Sequence, residues 1–218
     1  MSRMPRGARR PGRPAKTSIG RILDAAEELG LENLTRAGVA AHLGVSAATI
    51  RHHVESTGRL YSLTCARIFD RLDLDANDAA TWHDYLLTIG LRFTDLVTAH
   101  PGLEDYVLRG PYERTTLDRF EHIMGELLRR DASLTRPAAH LLGSRILTLG
   151  AAMRTSPLQR YPDGTAPPSG PQREVAAWTL RAFLVGAEEL ASRGELPATT
   201  PTPDAAWTHI DRQEDAAR

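Results

Sequence analysis

Residues 47–53 combine side chains that can read the edge of a DNA base pair. In order they are Ala, Ala, Thr, Ile, Arg, His and His. Ala and the Thr methyl group can touch thymine methyls, and an Arg can hold a guanine through two hydrogen bonds, a pair that discriminates by roughly 1–3 kcal/mol. We predict that Arg51 determines specificity. The full set of predicted contacts in this stretch is Ala47, Ala48, Thr49, Arg51, His52 and His53.

Thr35 and Ser46 each precede a predicted helix, and each is a residue type favoured as an N-cap. The amides of a helix N-terminus attract anions, so both residues are also predicted phosphate contacts, and the two roles can coexist. Arg36 follows in the first turn, where a cation is unfavourable beside the helix dipole. A bound phosphate or guanine would offset that cost, and a solvated side chain is the alternative.

The elements that position these side chains form a helix-turn-helix pattern. Residues 39–54, VAAHLGVSAATIRHHV, contain an apolar-faced helix, a turn at Gly44 and a second helix whose buried side holds Ile50 and Val54. In such a motif the second helix enters the major groove of DNA. A further helix at 19–30 precedes the motif. One of the two histidines could pack against that helix instead of contacting DNA, since adjacent helical positions do not share a face.

Charge is balanced over the whole chain but uneven along it. Residues 1–59 carry 10 basic and 5 acidic groups, whereas the chain has 27 of each. A positive end on a neutral protein favours a polyanionic partner at that end. Residues 1–18 are rich in Arg, Pro and Gly and are predicted to be disordered. They could serve as an arm in the DNA minor groove or as a solubilising tail.

Several classes of protein are disfavoured by composition. No apolar run reaches the roughly 20 residues that span a bilayer, and the start of the chain lacks the apolar region of a secretory signal. Cys65 is the only cysteine, which excludes an intrachain disulfide and a cysteine metal cage. No catalytic constellation is recognised in a convincing context. We predict a cytoplasmic protein that is not an enzyme and holds no metal or cofactor.

The rest of the chain has helical spacing of apolar residues and no strand alternation, so the predicted fold class is all-α. Further helices are predicted at 58–74, 81–99, 103–109, 113–130, 136–153 and 172–192. We predict four regions: a disordered basic arm at 1–18, a helix-turn-helix DNA-binding domain at 19–57, a helical regulatory and dimerisation domain at 58–194, and a flexible tail at 195–218.

Two features of the predicted regulatory domain have a functional and a structural interpretation. Helices 136–153 and 172–192 combine small and apolar residues, which suits either a two-fold four-helix interface or packing within one domain. Large apolar side chains in the same region could line a ligand pocket or fill a plain core. The candidate pocket residues are Phe93, Tyr106, Phe120, Met124 and Trp178.

These motifs resemble the tetracycline-repressor (TetR) family of bacterial transcriptional regulators. The resemblance rests on ILDAA (22–26), LT (34–35), VAAHLGVS (39–46) and TIRHHV (49–54), and more weakly on HPGLEDYVLRGP (100–111), SRILTLGAAM (144–153) and AFLVGAEEL (182–190). It implies a homodimer whose C-terminal domain binds a small molecule that lowers affinity for a DNA operator. It also implies phosphate contacts from His53 and from Arg59. The family usually has a Lys at the start of the fourth helix, where this chain has Thr57, and Arg59 follows two positions later. Arg51 replaces a Tyr of the family.

The leading hypothesis is a DNA-binding regulator that a small-molecule effector releases from double-stranded operator DNA, most simply a repressor. The alternative is a TetR-like ligand-binding protein that has lost specific operator binding and acts by heterodimerisation. This alternative is motivated by two differences from the family. The recognition helix is altered, and the interval between Ala26 and Val39 is shorter than usual in the family by about one helical turn. Loss of operator preference with intact ligand binding distinguishes the two.

Overall fold

The computed structural model describes residues 17–155 and 169–196. In this part of the chain every regular element is helical, which confirms the predicted all-α class. The helices are α1 (Ile19–Leu29), α2 (Arg36–Leu43), α3 (Ala47–His53), α4 (Thr57–Phe69), α5 (Trp82–Ala99), α6 (Leu103–Arg109), α7 (Arg114–Arg130), α8 (Arg136–Thr155) and α9 (Ser169–Ser192), with a 3-10 turn at Leu31–Asn33. The predicted arm apart from residues 17 and 18, residues 156–168 between α8 and α9, and the predicted tail apart from residues 195 and 196 lie outside the described residues.

Hydroxyl side chains begin each of the first four helices. Thr35 Oγ1 accepts a hydrogen bond from the Gly38 amide at 2.9 Å, and Ser46 Oγ accepts one from the Thr49 amide at 3.2 Å. Both predicted caps are thereby confirmed. Equivalent caps that the sequence analysis did not single out are formed by Ser18 and Ser56. Each cap gives a partner to an amide that the helix itself leaves without one.

Gly44 makes the turn between α2 and α3. Its backbone is left-handed, with φ 63° and ψ 34°, and its amide bonds to the carbonyl of Ala41 at 3.2 Å. A side chain in this conformation costs about 1–2 kcal/mol, which explains the glycine. The predicted turn is therefore confirmed, and it leads directly into the Ser46 cap of α3.

The helices α1, α2 and α3 form a unit that we call the head. Ile22, Ala26, Val39, Ile50 and Val54 are buried in its core. This apolar centre holds α3 by one side only, so the rest of α3 lies at the surface.

Ion pairs fasten α4 to α1. The Arg67 guanidinium pairs with Asp24 and, at 3.1 Å, with Glu27, and Arg71 pairs with Glu27 at 2.7 Å. On its other side α4 contacts α6 and α7. The fourth helix thus links the head to the helices α5–α9, which we call the body.

In the body, α5 packs closely against α8 and α9. A Cβ atom on Gly90 would lie 2.9 Å from Ile146 Cγ2 and 3.0 Å from Leu180 Cδ1, so a larger residue here would force these side chains to shift. Gly150 is similarly close to Phe93. None of the helices in the described ranges is long and apolar enough to cross a membrane.

The fourth helix is shorter than predicted, since it ends at Phe69 and not at residue 74. Residues beyond it are non-helical although Leu72 and Leu74 are buried. Arginines of the body bind backbone carbonyls of this non-helical segment. Arg119 donates to the Leu72 carbonyl and Arg92 donates to those of Asp73 and Asp75. Tertiary contacts therefore override the local helical pattern. The last helix begins at Ser169, three residues before the predicted start.

Glu126 on α7 predicts a specific loss of stability in acid. Hydrogen bonds from Arg129 and Arg130 lower the pKa of this carboxyl from 4.5 to about 2, against the opposing effect of its partial burial. Because the folded pKa is depressed, the carboxylate stabilises the fold above the unfolded pKa, and this contribution disappears as pH falls from about 4.5 through about 2. We expect Glu126→Gln to lack this component when unfolding free energies by urea are compared at about pH 5 and pH 3. A fall as steep as that of the wild-type protein would contradict the assignment.

Candidate nucleic-acid interface

The third helix presents almost all of its residues to solvent. Of its seven residues only Ile50 is buried, and Val54, which ends the helix, is buried beside it. The helix is thus anchored through two apolar side chains, while the predicted base-reading positions face outward. Ala47, Ala48, Arg51, His52 and His53 are exposed, and Thr49 is partly exposed.

Arg51 lies in the last turn of α3, where the helix dipole favours a cation. Its side chain is exposed, and among the described residues its guanidinium has no hydrogen-bond or ion-pair partner. The donors of Arg51 are therefore available to an external acceptor. A guanine edge offers two acceptors in the geometry that a guanidinium matches.

Thr49 is tied to the cap of its own helix. Its hydroxyl lies 2.9 Å from that of Ser46, and its amide donates to the same Ser46 oxygen. This pairing fixes the Thr49 side chain and leaves its methyl group as the part best suited to a thymine methyl.

His52 and His53 are both exposed, and their rings lie edge to face with centroids 5.5 Å apart. The alternative in which one of them packs against the first helix is therefore wrong. Adjacent positions diverge along a helix, but these two rings lean together at its end. Their contacts with DNA remain a prediction.

Arg36 has a role that sequence reasoning missed. Its guanidinium donates to the carbonyl of Val54 at 3.4 Å and to that of Glu55. These carbonyls directly follow α3, so Arg36 fastens the end of α3 to the start of α2. The solvated alternative is wrong, and any contact of Arg36 with DNA would have to use donors not engaged by these two carbonyls. No local signal predicts a partner 18 or 19 residues away.

Arg59 lies in the first turn of α4, just beyond α3, and is 44% exposed. Its amide donates to Ser56, and its guanidinium forms an ion pair with Glu113 at the start of α7. Arg59, which was predicted to contact a phosphate, is therefore paired with a residue of the body in this structure.

The five predicted pocket residues differ in exposure. Phe93, Tyr106 and Met124 are buried in the body and Phe120 is partly buried, whereas Trp178 is 72% exposed on α9. The Tyr106 hydroxyl is committed to hydrogen bonds with Thr116 and with the Glu113 amide, both at 2.8 Å. Trp178 therefore lies at the surface, and a pocket lined by the other four residues stays a prediction.

Two open clefts lie where α4 and the head meet the body. One, of about 400 Å³, lies between the 3-10 turn, Tyr61 and α6. The other, of about 600 Å³, lies between α7 and the segment that follows α4. The first is lined by Leu31, Glu32, Tyr61, Gly102, Glu104, Asp105, Arg109 and Gly110, and is therefore predominantly acidic.

Cys65 is buried in α4. Burial raises the pKa of its thiol to about 12, and the neighbouring Tyr61 offsets this only in part. A thiol with this pKa stays protonated at neutral pH and is a poor nucleophile.

The sequence matches no protein-family model and no curated protein. Solved structures are similar in three dimensions. One is a TetR variant from Acinetobacter baumannii AYE in complex with minocycline, with a TM-score of 0.65 at 14% identity, covering 80% of this chain and 98% of its own. A transcriptional regulator from Streptomyces coelicolor A3(2) gives a TM-score of 0.59 at 20% identity, covering 79% and 98%. Another regulator from Streptomyces coelicolor gives 0.56 at 20% identity, covering 88% and 100%.

At such low identity these similarities establish the fold. The chain has the all-α fold of TetR, in agreement with the resemblance of its motifs.

Proposed function

We propose that the protein is a homodimeric transcriptional regulator of the TetR family that binds operator DNA and is released from it by a small-molecule effector, and hence represses. The observation that carries the proposal is α3, a capped helix held by Ile50 and Val54 with its remaining residues facing solvent. A protein of this fold that exposes Arg51 without a partner among the described residues fits recognition of a major groove.

A stripe on α9 supports the homodimer. Val175, Trp178 and Val185 are 48%, 72% and 54% exposed, and they recur at helical spacing on the side opposite the buried Leu180 and Leu184. We call Val175, Trp178 and Val185 the α9 stripe. Exposed apolar surface of this kind is typical of an interaction site, and a two-fold dimer would bring two recognition helices to successive half-sites.

The head–body junction supports control by an effector. The 400 Å³ cleft is lined from the head side by Leu31 and Glu32 and from the body side by α6. A ligand bound there, or one that opens the aromatic core around Phe93 and Tyr106, would change how the head sits on the body. Such a ligand shifts the equilibrium between the DNA-binding and the released state only to the extent that its affinities for the two states differ.

The second candidate function is a ligand-binding protein without specific operator binding that acts by heterodimerisation. It is favoured by the internal use of Arg36 and Arg59, both of which were predicted to contact DNA. This function predicts ligand binding without any preference among DNA sequences.

Replacing Arg51 with Ala tests the proposed reading of DNA. The wild-type protein is first used to enrich a duplex from a random pool, and affinities are then measured for that duplex and for a scrambled one. We expect the variant to lose roughly 1–3 kcal/mol on the enriched duplex and much less on the scrambled one, because the paired hydrogen bonds to a guanine are lost only there.

Arg114→Ala is the matched control, since it removes an exposed arginine from α7, outside the predicted DNA contacts. Equal losses for Arg51→Ala on both duplexes would reduce Arg51 to a phosphate contact. Failure of the wild-type protein to enrich any sequence would favour the second candidate function.

A further inference from the structure

Glu113 occupies the N-cap position of α7 but does not cap it. Its side chain forms no hydrogen bond with the amides of its own helix. The carboxylate reaches instead to Arg59, 54 positions earlier in the chain, and is only 14% exposed. A carboxylate at a helix N-terminus is normally stabilised by the dipole of that helix. Here the Glu113 carboxylate also pairs with Arg59 and so links α7 directly to α4.

Arg59 is placed where DNA would need it. It lies in the first turn of α4, and only Val54, Glu55 and the cap Ser56 separate that helix from α3. A cation here would approach the phosphates that flank a groove occupied by α3. The same guanidinium is neutralised by Glu113, so phosphate and carboxylate compete for one cation.

We propose that Glu113 acts as an intramolecular competitor of the DNA backbone for Arg59 and thereby lowers the affinity of the protein for DNA. The proposal rests on the DNA-binding part of the proposed function. It concerns a phosphate contact and therefore applies to any duplex, whatever its sequence.

The position of the competing carboxylate depends on the corner between α6 and α7. The Glu113 amide donates to the hydroxyl of the buried Tyr106, which is also bonded to Thr116. The opposite end of α6 touches α4 and the head: the Tyr61 hydroxyl of α4 donates to the Gly102 carbonyl at 2.5 Å, and a Cβ on Gly102 would lie 2.9 Å from Leu31 Cβ in the 3-10 turn after α1. A displacement of α6 would therefore move Glu113 relative to Arg59, and DNA affinity would respond.

The test compares Glu113→Gln, Arg59→Gln and the double variant with the wild-type protein. Asp118→Asn is the control, because it removes one negative charge from the same helix while its partner is the exposed Arg114. Dissociation constants are measured for the enriched and the scrambled duplex over a salt series, and melting temperatures report on folding.

Glu113→Gln is expected to bind both duplexes roughly threefold to tenfold more tightly, in line with the modest strength of partly exposed ion pairs. Its affinity should fall more steeply with salt, by a slope of about 0.9 for each additional phosphate that the protein neutralises. Asp118→Asn should behave as the wild-type protein does. In the Arg59→Gln background, the change at Glu113 should have no effect on affinity.

Unchanged or weaker binding by Glu113→Gln would overturn the competition. So would an equal gain in the Arg59→Gln background, since the effect would then be general electrostatics. This comparison stays valid even if loss of the ion pair changes stability, because Arg59→Gln and the double variant both lack the pair. Failure of the proposed function has a different signature, namely a wild-type protein that binds the enriched and scrambled duplexes equally.

Discussion

Replacing Trp178 with Ala is expected to dissociate the proposed homodimer at concentrations at which the wild-type protein forms it. A buried interface Trp often contributes about 2 kcal/mol or more, and a two-fold interface contains it twice, so we expect a loss of about 4 kcal/mol. Trp178 is the most exposed large apolar residue described in the protein. Sedimentation equilibrium measures the dimer constant, and operator affinity should fall with it because each half-site is then bound separately.

Leu108→Ala provides the control for that experiment. Leu108 is also an exposed apolar residue, at 37%, but it lies on α6 and not in the α9 stripe. We expect it to leave the dimer constant unchanged. A wild-type protein that is monomeric at all concentrations, or a dimer indifferent to Trp178→Ala, would remove α9 from the interface.

Replacing Ile50 with Ala is expected to destabilise the protein by about 2–5 kcal/mol, the usual range for deleting a fully buried aliphatic side chain. Ile50 is 0% exposed and is the only buried residue within α3. Its loss would loosen the recognition helix and weaken binding to DNA of any sequence. Urea denaturation gives the change in unfolding free energy, and hydrogen exchange shows whether the α3 amides lose protection first.

Ile19→Ala is the matched control for Ile50→Ala. It makes the same chemical change in the head, but Ile19 is 42% exposed at the start of α1. Its cost should be well below that of Ile50→Ala. Comparable costs for the two variants would mean that Ile50 does not anchor α3.

The local features of the head were predictable from sequence because they depend on neighbouring residues. Thr35 and Ser46 cap helices that start one position later, and Gly44 adopts the left-handed conformation that its turn requires. Ile50 and Val54 follow from the spacing of apolar residues on one side of a helix. Each of these features is decided within one or two turns of the chain.

The partners of the arginines were not predictable in the same way. Arg36 binds carbonyls 18 and 19 positions away, and Arg59 pairs with a residue 54 positions away. Solvated or DNA-bound side chains were the natural expectations, because sequence spacing carries no signal for such contacts. The segment after α4 is held by contacts of the same kind, since Arg92 and Arg119 bind its carbonyls from positions far along the chain.

Trp178 illustrates the limit of helical periodicity. The spacing placed it among large apolar residues that could line a pocket or a core, but periodicity alone does not tell which apolar side of α9 faces the body. Ala176, Leu180 and Leu184 take that side, so Trp178 remains outside. Its exposure is what turns a candidate pocket residue into a candidate interface residue.

We propose that the protein recognises a specific operator as a dimer. The most direct measurement is binding of the purified protein to the intergenic DNA beside its own gene, against a scrambled competitor, over a salt series. We predict saturation at one dimer per site, a clear preference for the intergenic duplex and an affinity that falls as salt rises, as expected for a protein that neutralises DNA phosphates. Equal affinity for the intergenic and scrambled duplexes at every salt concentration would contradict the account.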